Sequence, residues 1–184
     1  MKRISRILIV ISIAVFVAAC SNAKEQLIDD IKAKEQIVSE SIGDQFDKST
    51  AESLRQDYLQ FANEYPDDSL APVFMHKASE LAINLNMPQE AVSTIDSLII
   101  KFPDYQFLPD AWFFKGFIQE TYLNDEAGAL KTYETFIEKF PKHEMVPQVQ
   151  FSIENMGVSE EELIKQFMQN TQNQDTISMM PDSV

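Results

Sequence analysis

Apolar residues recur along this chain with a helical step, and the same arrangement returns at near-constant intervals. Ala129, Leu130, Tyr133, Phe136, Ile137 and Phe140 fall on one side of a 3.6-residue helix, and Pro141 closes it. The same offsets occur 38 residues earlier as Ala91, Val92, Ile95, Leu98, Ile99 and Phe102, followed by Pro103. Another 37 residues back they occur as Leu54, Tyr58, Phe61, Ala62 and Tyr65, followed by Pro66. Proline disfavours the α conformation in the residue before it, so each aromatic-proline pair predicts a helix stop and a reversal of the chain. Turns at Asn86-Met87-Pro88 and Asn124-Asp125 divide two of the units into a first and a second helix. Gly116 sits in the middle of one first helix, where it costs about 1 kcal/mol relative to alanine; close approach of a neighbouring helix is the usual compensation. Ala78 holds the same place one unit earlier. A sequence period between roughly 20 and 50 residues predicts stacked supersecondary units, here about two and a half of them.

The flanks carry weaker patterns. Leu27, Ile28, Ile31, Val38 and Ile42 form a thin stripe through residues 24–42, supported by an Asp30/Lys34 pair at i,i+4 and stopped at Gly43. Such a helix is expected to pack on the first repeat, with a free partner-binding helix as the alternative. Ser49-x-x-Glu52 has the form of a capping box for the helix ending at Tyr65, and Asp67, Asp68 and Ser69 offer caps for the next, with Pro72 in its first turn. Beyond Pro141 a shorter helix carries Met145, Val146, Val149, Ile153 and Met156 and stops at Gly157. Ser159-x-x-Glu162 then opens a last helix with Leu163, Ile164 and Phe167. These two helices are expected to cap the stack.

The repeated unit resembles a tetratricopeptide repeat. Trp112, Gly116, Ala129, Tyr133 and Pro141 fall on the large, small, small, aromatic and proline positions of that motif; Phe74, Ala78, Ala91, Ile95 and Pro103 do the same. The departures are Phe136 and Leu98 at a second small position, one extra residue in each intra-hairpin turn, and a period longer than the family's usual 34. The resemblance implies an all-α fold, a short αα-hairpin solenoid with capping helices, acting through protein–protein contact. It also implies a concave surface, which maps here onto Met75, Ser79, Phe113, Phe117 and Glu120. For Phe113 and Phe117, packing between repeats is the competing reading.

The amino terminus adds an address. Lys2, Arg3 and Arg6 precede an apolar run from residue 7 to 17, too short to span a bilayer, and Val17-Ala18-Ala19-Cys20 ends it. This resembles a lipoprotein export signal, which implies cleavage before Cys20 and a diacylglycerol on its sulfur. Cys20 is the only cysteine, so lipidation is its expected role and no intrachain disulfide can form. The resulting division is a signal peptide at 1–19, a lipidated tether at 20–23, an N-terminal helix at 24–48, a repeat domain at 49–168 and a disordered tail at 169–184, the last polar and without pattern. By resemblance to known lipoproteins, Ser21 stands where an aspartate would mark retention in the inner membrane, which implies an outer-membrane anchor facing the periplasm. There the resemblance is to periplasmic tetratricopeptide lipoproteins of outer-membrane protein assembly (BamD-like), with protein partners in the envelope.

Charge and composition narrow the chemistry. With the three leader cations removed, 12 basic residues face 29 acidic ones, a net of −17; this excess disfavours nucleic acid as a partner. His76 and His143 are the only histidines and lack companions at metal-ligand spacing, so no metal, cofactor or catalytic residue is expected. A small-ligand-binding lipoprotein using the concave face is the alternative function. Removal of residues 170–184 is expected to leave the thermal midpoint unchanged within about 1 °C. A drop of several degrees in a calorimetric scan would show that the tail docks.

Overall fold

The fold, taken from a computed structural model, is described for residues 22–41, 46–159, 161, 162, 164, 165 and 168. The leader, Cys20, the expected stop at Gly43, Leu163, Phe167 and the polar tail lie outside these residues. Every regular element among the described residues is a helix, and no strand occurs among them. Helix α1 covers 22–40, α2 Lys48–Glu64, α3 Leu70–Asn84, α4 Pro88–Lys101, α5 Leu108–Thr121, α6 Glu126–Lys139 and α7 Val146–Glu154. Glu161, Glu162, Ile164, Lys165 and Met168 are helical too. The chain forms two compact units, one ending at Ala111 and the other starting at Trp112.

The three aromatic-proline endings become three turns of one conformation. Tyr65, Phe102 and Phe140 each cap a second helix, with φ/ψ of −127/56, −129/63 and −127/52°. Each donates its amide to the carbonyl four residues back, on Phe61, Leu98 and Phe136. Each carbonyl then accepts from the amide three residues on, at Asp68, Tyr105 and His143 (3.0, 3.1 and 3.0 Å). Inside the hairpins the turns match as well: Asn86 and Asn124, 38 positions apart, are left-handed at φ 60 and 50°. Asparagine tolerates that region better than other side-chain-bearing residues. Asp125 caps α6 as expected, accepting from the Gly128 amide at 3.0 Å.

In the first unit, Ile31, Ala51, Leu54, Tyr58, Phe61, Phe74, Ala78 and Leu81 form one buried cluster, with Leu27, Ile28 and Val38 packed against it. Helix α1 is therefore docked on the first repeat, as its stripe predicts, and it supplies the first helix of a third hairpin. Its bounds differ from the expected 24–48. Asn22 and Ala23, assigned to the tether, are already helical, the helix ends at 40, and Lys48 opens α2. Lys34 does not pair with Asp30; it reaches Asp57 on α2. The box at Ser49 is likewise displaced. Asp47 is the N-cap of α2, accepting from the Thr50 amide (3.0 Å) and hydroxyl (2.7 Å), while Glu52 binds Arg55 at 3.0 and 2.9 Å. Arg55 is buried, so its guanidinium holds Glu52 better than a backbone amide would.

In the second unit, Ala129, Tyr133, Phe136 and Val149 form the core, flanked by Trp112, Phe113, Ile137, Phe140, Met145, Val146, Ile153 and Met156. Helix α7 thus caps α6 through Val149, and Gly157 at φ 76° turns the chain out of it. Ser159 accepts from the Glu162 amide at 3.3 Å, the cap half of the predicted box. Gly116 has the reason its position implies: a Cβ there would lie 2.4 Å from the Tyr133 ring. Gly116→Ala is expected to destabilise the protein by about 1–3 kcal/mol, because the ring is walled in and the gain in helix propensity is only about 1 kcal/mol. Denaturant unfolding checks this; an unchanged or raised midpoint would mean that the ring yields freely.

Candidate functional site

Two tyrosines on second helices make the same cross-hairpin bond. Tyr133 donates its hydroxyl to Glu120 on α5 at 2.9 Å, and Tyr58 donates to Glu35 on α1 at 2.6 Å. Each glutamate lies four residues after a buried residue of its own helix, Gly116 or Ile31. In the hairpin between them, Ile95 stands where the tyrosines stand and Ala82 where the glutamates do. The aromatic and its acceptor are present together or absent together. Burial pushes both phenols well above the ordinary tyrosine pKa, and the neighbouring carboxylates add to it, so both remain donors.

Glu35 does more than its counterpart. Its Oε1 also accepts from Lys77 on α3 at 2.6 Å, so one carboxylate joins three helices. Burial raises its pKa, but the bonds from Lys77 and Tyr58 outweigh that and hold the carboxyl below its ordinary value. At the other end of α1, Lys24 pairs with Asp68, and its ammonium lies 5.9 and 5.6 Å from the ring centres of Phe61 and Tyr65. The Lys24 bond and the Leu70 amide, which donates to Asp68 at 2.8 Å, lower the pKa of Asp68. An open cleft of about 330 Å³ lies beside Glu35, lined also by Val38, Ser39, Leu54, Glu80 and Asn84.

Of the residues read as a concave surface, Met75 and Ser79 lie in the first unit and Phe113, Phe117 and Glu120 in the second. Met75 and Ser79 are buried, and the Ser79 hydroxyl is spent on the His76 carbonyl at 2.6 Å. Phe113 packs on the second core with its ring 6.0 Å from that of Tyr133, and Glu120 is the acceptor just described. Only Phe117 is exposed, at 37%, with the 43%-exposed Tyr122 edge-on to it at 6.0 Å. Tyr122 is not among the positions that the family resemblance maps to the surface, although a second aromatic five residues after Phe117 near the helix end is a readable signal. Trp112 is half-buried beneath the ammoniums of Lys115 and Lys139, 5.6 and 5.9 Å from its ring, and its buried Nε1 has no hydrogen-bond partner among the described residues.

His76 and His143 are half-buried and serve locally. His143 Nδ1 accepts from the Met145 amide at 3.3 Å, and His76 lies 3.5 Å from the Tyr105 hydroxyl. Among the described residues no three His, Cys, Asp or Glu side chains group as metal ligands, and no helix is long and apolar enough to cross a membrane.

These observations define an all-α protein of TPR-like helical hairpins. Residues 110–143, covering α6 and nearly all of α5, match the family model described as "Tetratricopeptide repeat", and over that stretch the chain is similar to that family. No curated protein matches the chain. Tetratricopeptide repeats generally mediate protein–protein interactions, which makes protein the indicated class of partner.

The Glu35 carboxylate fixes a pH dependence. Its folded pKa is depressed, so its stabilising contribution is complete above the ordinary value of 4.5 and is lost as pH falls through the lowered value. In Glu35→Gln, the stability deficit relative to wild type is expected to be constant near neutral pH and to shrink below about pH 4. Urea midpoints across pH measure it, and a deficit independent of pH would show that charge at this position does not matter.

Proposed function

We propose that this chain is a non-enzymatic, lipid-anchored tetratricopeptide-repeat module, acting as a scaffold for protein contacts at the outer membrane, on its periplasmic side. Envelope or outer-membrane protein assembly is the process it serves on this reading. The observation that carries the proposal is the match at 110–143, whose first helix and the turn after it leave Phe117 and Tyr122 open to solvent. Aromatic side chains that expose a large face at small entropic cost are favoured anchors in protein interfaces. The leader pattern and Cys20 support the anchorage, and the −17 charge of the processed chain favours partners with basic surfaces.

Affinity capture from crosslinked envelopes tests both halves at once, comparing wild type, Cys20→Ala and Phe117→Ala/Tyr122→Ala. The cysteine variant is expected in the soluble fraction. The aromatic pair variant is expected to keep its membrane location and its melting temperature and to lose a protein that wild type captures. Continued membrane retention of Cys20→Ala would refute the anchor; undiminished capture by the aromatic variant would refute the surface. A thermal shift with envelope metabolites, and no captured protein, would favour the small-ligand alternative.

A further inference from the structure

Lys24 follows Cys20 by four positions, so covalent geometry keeps its Cα within about 14 Å of that of Cys20. Lys24 is itself fastened to Asp68 and lies against Phe61 and Tyr65, so the start of α1 is held beside the turn at 65–68 that joins α2 to α3. Farther along α1, Ile31 is in the core, Lys34 binds Asp57, and Glu35 takes bonds from Tyr58 and Lys77. A helix held at four points along its length cannot act as a swivel. The chain between the acylated sulfur and the first fixed residue is short enough to keep the start of α1 near the lipid.

Resting on the anchored reading proposed above, we infer that the first unit stands on the bilayer in one orientation. The turn at 65–68 faces the lipid head groups, and the turn at Asn86 points away. Helix α3 joins the two turns and has 15 residues, about 22 Å, so the two turns differ in height by up to that much. Glu64 and Asp67 are exposed at the lower edge, where anionic head groups would repel them. Adhesion therefore does not set the orientation; the anchor and the docked α1 do. The cleft beside Glu35 lies toward the far end of α1 and α3, where Val38 and Asn84 line it, and so stands on the side away from the anchored end of α1.

The test uses the full lipidated chain in phosphatidylcholine vesicles carrying a head-group nitroxide, with a fluorophore on one introduced thiol, Asp67→Cys or Gln89→Cys. Both positions are exposed, and the single native cysteine is acylated. Both variants are expected to float with the vesicles, with the probe at 67 quenched severalfold more strongly than the probe at 89. Failure to float overturns the anchored reading, and the orientation with it. Flotation with equal quenching, or with stronger quenching at 89, overturns the orientation and leaves the anchor standing. Adding Lys24→Ala, Lys34→Ala and Glu35→Gln to each labelled chain is expected to erase the difference; a difference that survives overturns the role of α1 docking.

Discussion

The fold depends on one ridge used three times. Leu54, Tyr58 and Phe61 on α2, Ala91, Ile95 and Leu98 on α4, and Ala129, Tyr133 and Phe136 on α6 are all at most 4% exposed. Their spacing lines one face of each second helix, and hiding nine such side chains from water supplies a large part of the force that holds the hairpins together. At Gly116 the helices approach so closely that a Cβ would lie 2.4 Å from the Tyr133 ring, which is why a residue unfavourable to helices persists there.

Placing tyrosine on that ridge creates an obligation that isoleucine does not. A phenol hydroxyl drawn out of water needs a partner, or it costs about 1–3 kcal/mol. Glu120 and Glu35 meet that need from the first helices, four residues along from a buried residue of the same helix. Where the ridge carries Ile95 there is no hydroxyl to satisfy, and Ala82 stands in the corresponding place. A carboxylate there would have been buried without a donor, so the pairing is a constraint that acts on both positions at once.

This logic separates what the sequence disclosed from what it hid. The second helices, their proline stops, the Asn86 and Asn124 turns, the Asp125 cap and the tight contact at Gly116 are local or periodic features, and each was readable. Helix α1 was harder. The link to α2 is longer than in the other hairpins, so its register with the repeats was lost, and its fastenings run 23 to 44 residues along the chain. Asp47 outcompeted Ser49 as a cap because Arg55, a buried guanidinium one turn on, claims the Glu52 that a capping box requires. The candidate surface was the least legible part. Family position places Met75, Ser79, Phe113, Phe117 and Glu120 on one face, but exposure is decided by tertiary packing, and only Phe117 retains it.

On the anchored reading proposed above, the means by which α1 is held bears on where that helix sits. An amphipathic helix with a broad apolar face has two competing sites, the protein core and the interfacial zone of the bilayer, and apolar area alone hardly distinguishes them. Helix α1 has a thin stripe, with Ile31 alone fully buried, and is fixed by the partnered charges of Lys24, Lys34 and Glu35. Those contacts exist only on the protein, since the headgroup region offers no counterpart of the Asp57 carboxylate or of the Tyr58 hydroxyl at a fixed distance. Polar fastening therefore gives α1 a preference for the repeat domain over the lipid surface that a more hydrophobic helix would lack. On the anchored reading, that preference makes the helix next to the acyl chains a rigid post.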